Sequence, residues 1–253
     1  MLKMILRILL ILVLLVVLAG VVLYVLASRP PADYHPAQLT QKEKEQSARQ
    51  FVSHISDFNN KAQKNEAFEW QITQEQLNSY LASADEIAAN RLGGRRGEVR
   101  QALESAGLAD PAVAMTDGVL TLLVRSSKHD KVVAADLAFR FTPDGRLAIR
   151  LTQTRIGQLP VPDRFLREQL QTVKEQLRRD QQKPVEPAAQ ASGPGDSSED
   201  VGRLIGAVIA AIDEEPITPE LVGGLNHKKV RIEDLRLTPG KLTVRAVPIE
   251  RNK

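Results

Sequence analysis

From Ile8 to Ala27 the chain reads ILLILVLLVVLAGVVLYVLA, 20 residues without a charge. A helix rises about 1.5 Å per residue, so this stretch would span roughly 30 Å, the thickness of a bilayer's hydrocarbon core. A cleaved signal peptide has a shorter apolar region and a small-x-small cleavage site. Here Arg29 and two prolines follow Ala27 and Ser28. The pattern predicts an uncleaved transmembrane anchor over residues 1–28, with a cleaved signal as the alternative. Lys3 and Arg7 precede the span, while Arg29, Lys42 and Lys44 follow it, so the positive-inside bias is weak. The short charged N-tail points to an N-terminus in the cytoplasm and a single pass across the inner membrane, with residues 29–253 extracytoplasmic.

Beyond the anchor the pattern changes several times. SRPPADYHP reads as an extended spacer, over about 29–40. Phe51, Ile55, Phe58 and Ala62 then recur at helical spacing and predict a helix over 41–63. FEWQI (68–72) alternates like a strand. Thr73, with Gln76 three residues on, is a capping box that starts a second helix with Leu77, Tyr80, Leu81 and Ala84 on its buried face. A shorter helix, 98–107, follows the glycine-rich RLGGRRGE. From Ala112 the period becomes two. MTDGVLTL, FTPDGRLAI and LTPGKLTV each read strand, turn, strand. Their likeness is explained by common turn chemistry, or by a distant internal duplication. Val133, Ala135, Leu137, Phe139 and Phe141 share one face and Asp136 and Arg140 the other, which predicts an antiparallel sheet with one apolar and one polar face.

Two amphipathic helices are predicted to cover the apolar face. One, over 162–179, carries Phe165, Leu166, Leu170, Val173 and Leu177, and the other, over 200–215, carries Val201, Leu204, Ile205, Val208, Ile209 and Ile212. Residues 180–199 between them are rich in Pro, Ala, Gly and Ser and predict a disordered loop. The fold expected is therefore α+β: an antiparallel sheet wrapped against amphipathic helices, one domain over 41–253, preceded by one transmembrane helix. In RIGQLPVPDRFLREQL (155–170), Pro160 and Pro162 are expected to end a strand and start a helix, leaving Leu159 and Val161 to pack at the corner.

Composition narrows the chemistry. The chain of 253 residues has no cysteine, which excludes thiolate metal sites, disulfides and a Cys nucleophile. Net charge is +3, too small to point to nucleic acid. The histidines, His35, His54, His129 and His227, show no metal-ligand spacing, and His54 reads as a solvated helix residue. No G-x-S-x-G elbow or phosphate-binding loop is present. The cluster Arg91, Arg95, Arg96 and Arg100 reads as a solvated loop, or as a contact for anionic lipid or an envelope polyanion. No catalytic residue, metal or cofactor is assigned, and no enzyme activity is expected.

The order of these features resembles the YpmS-like family of anchored bacterial envelope proteins. The matching residues are Leu77, Asn78, Tyr80, Leu81, Gly157, Leu159, Val161, Pro162 and Leu242. More distantly the chain resembles tubular lipid-binding folds, in which a curved sheet wraps a helix around an apolar groove. The resemblance implies a non-enzymatic envelope protein. The function expected is a membrane-anchored binding module for a lipid or acyl chain, lined by Leu159, Val161, Phe165, Leu204, Ile205, Val208 and Ile209. The alternative is an envelope scaffold that positions a partner enzyme by protein–protein contact.

Overall fold

In the computed structural model the described residues are Leu15, Leu18, 20–64, 66–91, 97–162, 215–223 and 228–249. They form an α+β fold with two antiparallel sheets where the sequence pattern suggested one. Residues 20–28 are helical and are called α1. Among the described residues no helix is long and apolar enough to cross a membrane.

Helix α2, Gln41–Ala62, opens on a capping box in which Thr40 and Glu43 satisfy each other's backbone N–H. Strand β1, Phe68–Thr73, leads directly into α3, Gln74–Ala82, and Thr73 and Gln76 form the expected capping box. The second helix is shorter than its pattern implied, because the chain breaks at the fully buried Ser83 before α4, Ala84–Arg91. Helix α5, Glu98–Ser105, ends before Gly107, whose φ of +71° turns the chain into the first sheet.

The five-stranded sheet has the order β2-β3-β4-β5-β6, a meander of Leu108–Thr116, Val119–Ser126, Lys131–Phe141, Leu147–Ile156 and Leu159–Pro160. The four-stranded sheet has the order β1-β9-β8-β7, where β7 is Glu220–Gly223, β8 Lys228–Thr238 and β9 Lys241–Pro248. The third hairpin therefore pairs with β1, Phe68 lying opposite Ala246, and does not extend the meander. The two sheets meet where Val113 and Met115 of β2 pack with Leu237 of β8, flanked by Leu77 and Leu81 of α3.

Strand β2 is an edge strand, and α3 covers its backbone. Asn78 Nδ2 donates to Val113 O (3.0 Å), Val113 N donates to Asn78 Oδ1 (2.7 Å), and Met115 N donates to Gln74 Oε1 (2.7 Å). Positions i and i+4 of a helix thus answer positions i and i+2 of a strand. An open edge that could recruit another chain is closed by two side chains.

The five-stranded sheet is covered on its polar face as well. Register places Ala112, Leu123, Ala134 and Arg155 on one face, with Ala114, Thr121 and Asp136 one step along. Small side chains there let the 29–35 segment lie close. Tyr34 packs on Ala112, Ala114, Leu123, Val132 and Ala134, and its hydroxyl donates to Asp110 O (2.9 Å). Burial first, and then the nearby Asp110 carboxylate, push the Tyr34 hydroxyl above its ordinary pKa, so it remains a donor. Asp33 meets Arg155 Nη2 at 3.3 Å, and Arg155 Nη2 also donates to Asp136 Oδ1 at 3.1 Å. The segment that reads as a spacer is therefore also a strap across the sheet, running from β5 at Arg155 to β2 at Asp110.

Candidate functional site

The Leu-Pro-Val-Pro step is the return limb of a tight hairpin. Gly157 and Gln158 form its turn, Ile156 lies opposite Leu159, and Val161 N donates to Thr154 O at 2.8 Å. Gly157 has φ +58°, a conformation two-residue hairpin turns reserve for glycine. Pro160 is tolerated because β6 is an edge strand. Pro160 thus continues the ladder beyond the point where the sequence placed the strand's end. Leu159 and Val161 are half-buried. Through the register Leu159–Ile156–Val133–Val124, Leu159 belongs to the apolar face, on which Leu122 is 44% and Ile156 37% exposed. The other expected groove residues, Phe165, Leu204, Ile205, Val208 and Ile209, lie outside the described residues, as do the loop at 180–199 and most of the anchor.

A concave site that the pattern did not reveal lies at the start of β2. It is a cleft of about 320 Å³ between the 36–39 segment, the end of α3, the start of α4, α5 and the Leu108–Pro111 stretch. That volume is at the lower end of the range for small-molecule sites. Each wall has a local cause. Val99 and Leu103, four apart on α5, present one apolar stripe to the cleft. Helix α5 is held there because Arg100 N donates to Asp85 Oδ1 of α4 at 3.0 Å. The floor comes from a bulge in β2, where the register jumps between Ala109 and Ala112 and Asp110 sits at φ +47°. Leu39 and Leu81 complete the apolar lining.

Most charges around the cleft are already engaged. Glu104 lies 3.8 Å from Arg100, and Asp110 pairs closely with Arg125. Asp110 and Asp130 flank Arg125 and, with the Asp110 carboxylate as first cause, hold its guanidinium above its ordinary pKa. Lys44, half-buried at the rim, has no ion-pair partner among the described residues. The cleft is therefore an apolar hollow with a spare cation. Nothing in the lining forms a nucleophile–base pair, and among the described residues no group of three or more His, Cys, Asp or Glu could hold a metal ion. The signal that could have found it was thin: Val99, Leu103 and Leu108 at helical and post-helical spacing, and Asp-Pro at a bulge.

A second cluster corrects the reading of His54. Its ring stacks on Trp70 at 4.6 Å between centroids, Nε2 lies 2.9 Å from Gln71 O, and Nδ1 lies 3.4 Å from the Tyr80 hydroxyl. Phe51 lies edge-on to Tyr80, and Phe58 edge-on to both Phe68 and Trp70. His54 is thus a packing element between α2 and β1, half-buried where solvation was expected. Burial raises the Tyr80 hydroxyl pKa, which keeps it neutral beside the imidazole. The cluster positions α2 against β1 and α3. No family model, curated protein or solved structure matches the chain.

Proposed function

We propose that this protein is a membrane-anchored, extracytoplasmic, non-enzymatic binding module, and that its ligand is an anionic amphiphile with an acyl chain. The observation that carries the reading is the cleft of about 320 Å³, apolar along Leu39, Leu81, Val99, Leu103 and Leu108. A chain of methylenes gains roughly 0.8 kcal/mol for each CH₂ it buries there. A carboxylate or phosphate at the mouth would find Lys44. The uncharged stretch Ile8–Ala27 supports the anchor. The half-exposed Leu122 and Ile156, beside Leu159, supply a second apolar surface on the same domain.

The test is a titration of the full chain, extracted in a mild detergent, with a fluorescent fatty acid and with the corresponding fatty alcohol. The wild type is expected to bind both. Leu103→Trp, which fills the cleft from α5, should abolish both while moving the thermal midpoint by only a few degrees, because Leu103 is half-buried on a short helix. Lys44→Gln should weaken the acid several-fold and leave the alcohol unchanged. Absence of binding by the wild type, or equal binding by Leu103→Trp, would exclude the cleft as the site.

A further inference from the structure

Helix α1 does not end in a free tether. Gln158 N donates to Leu26 O at 2.9 Å, and the Gln158 side-chain amide donates to Pro30 O at 3.4 Å. Gly157 approaches so closely that a Cβ there would lie 2.5 Å from Ala27 O and 2.6 Å from Arg29 O. The Lys131 ammonium bonds Ser28 Oγ and sits 4.6 Å from the centre of the Tyr24 ring. With Asp33 and Tyr34 already fixed to Arg155 and Asp110, the chain is bonded to the five-stranded sheet from Tyr24 to Tyr34.

The helix that is bonded so firmly is apolar on every side. Val21, Val22, Leu23 and Tyr24 are consecutive, so they point around the whole helix, and they are 53%, 50%, 49% and 69% exposed. A helix without a polar face is stable only when buried, and in the anchor proposed above lipid is the medium that buries it. Tyr24, one turn before the helix ends, is of the residue type that settles at headgroup depth. Lys131 stands beside it, so the sheet end carrying Lys131 lies at that depth too. The register puts Leu108, Ser126, Lys131 and Ile156 at this same end. The exposed cations there are Arg29 and Lys128, and the half-buried Lys131 follows three residues after Lys128. Lys128 is laid over Gly107, whose Cβ would meet its side chain at 3.5 Å. Arg125 is engaged by Asp110 and Asp130.

We propose that this end of the five-stranded sheet lies directly on the anionic headgroups of the bilayer that holds α1, with Arg29, Lys128 and Lys131 as phosphate contacts. The proposal rests on the anchor in the preceding reading. Each basic residue held near an anionic surface adds attraction to it, which salt weakens. The cleft begins at Leu108, so it lies at the membrane-facing end, within reach of lipid without passage through water.

Because the chain has no cysteine, single labels can be placed cleanly. His129→Cys, in the turn before Lys131, and Asp117→Cys, roughly 25 Å away along β3, would each carry a fluorophore in the full chain. Each would be reconstituted into phosphatidylcholine vesicles with or without phosphatidylglycerol, and quenched by headgroup spin-labelled lipid. We expect strong quenching at 129, little at 117, and a further rise at 129 when phosphatidylglycerol is present. Arg29→Glu with Lys128→Glu, both exposed, should remove that rise while the protein still floats with the vesicles. Gly157→Val should sever the junction and bring the quenching at 129 towards that at 117. Flotation with equal quenching at both positions would overturn the docked orientation and leave the anchor standing. Failure to float would overturn the anchor, and the docked face with it.

Discussion

Asn78→Ala is expected to lower unfolding stability by about 2–4 kcal/mol, because it leaves two backbone groups of an edge strand buried without partners, at about 1–3 kcal/mol each. Asn78 is 6% exposed, and its amide is matched to Val113 at both ends, donating to the carbonyl and accepting from the N–H. Water cannot replace it without opening the contact between α3 and β2. Asn78→Asp separates hydrogen bonding from side-chain volume. It preserves the acceptor for Val113 N but turns a second acceptor towards Val113 O, so it should cost nearly as much as alanine. Gln74→Ala, which removes a single bond to Met115 N, should cost less. Urea unfolding of the full chain in detergent would measure all three. A loss of under about 1 kcal/mol for Asn78→Ala would mean that Val113 finds other partners.

The second large effect is expected at Arg155. Its side chain is 23% exposed and lies between Asp136, 13% exposed, and Asp33, 32% exposed, while Thr121 Oγ1 donates to Asp136 Oδ1 at 2.8 Å. Burial by itself would lower the guanidinium's pKa. Asp136 and then Asp33 more than offset that and hold it above its ordinary value. Arg155→Met keeps the apolar stem but leaves two carboxylates facing each other, partly out of water. Removing one partner of a fully buried pair costs about 3–5 kcal/mol; with these groups partly solvated, roughly 2–3 kcal/mol is expected. Amide exchange at Asp33 and Tyr34 should also quicken, because the strap loses its ionic attachment. Asp136→Asn in the Arg155→Met background should restore part of the stability. A mutant with unchanged stability and unchanged exchange would show that the strap is held without Arg155, through Tyr34 and the Gln158 contact to Pro30.

Much of the local structure was legible because it has a period or a punctuation mark. Asp117-Gly118, Asp144-Gly145 and Pro239-Gly240 mark turns, and the alternation around Asp136 assigned β4 and β5 to the correct faces. The Thr73–Gln76 box placed the start of α3 at the correct residue. What the pattern could not supply was the identity of strand partners. Period two gives the face of β9, but nothing local says that Leu242 lies opposite Ile72 and belongs to another sheet than Leu137. The strap was hidden for a related reason. Asp33 and Tyr34 are two adjacent positions, and two adjacent positions show no periodicity. His54 looked solvated because its partners, Trp70 and Tyr80, come from two other elements. The cleft was hidden because six segments each lend it only one to four residues.

The pairing of β1 with β9 also governs when the domain can fold. Phe68 lies opposite Ala246, so β1 waits for β9, made more than 170 residues later than Phe68. Contacts so distant along the chain form slowly, because loop closure must precede any gain from pairing. Until β9 arrives, Phe58, Phe68 and Val230 have no Ala246 in their cluster. The five-stranded meander carries no such delay, since each strand pairs with the next. A chain made from its N-terminus would therefore complete the meander first and hold β1 open as an unpaired, aromatic-rich edge. Closure of that edge requires that synthesis has passed β9, so chains cut short before Lys241 would keep it open.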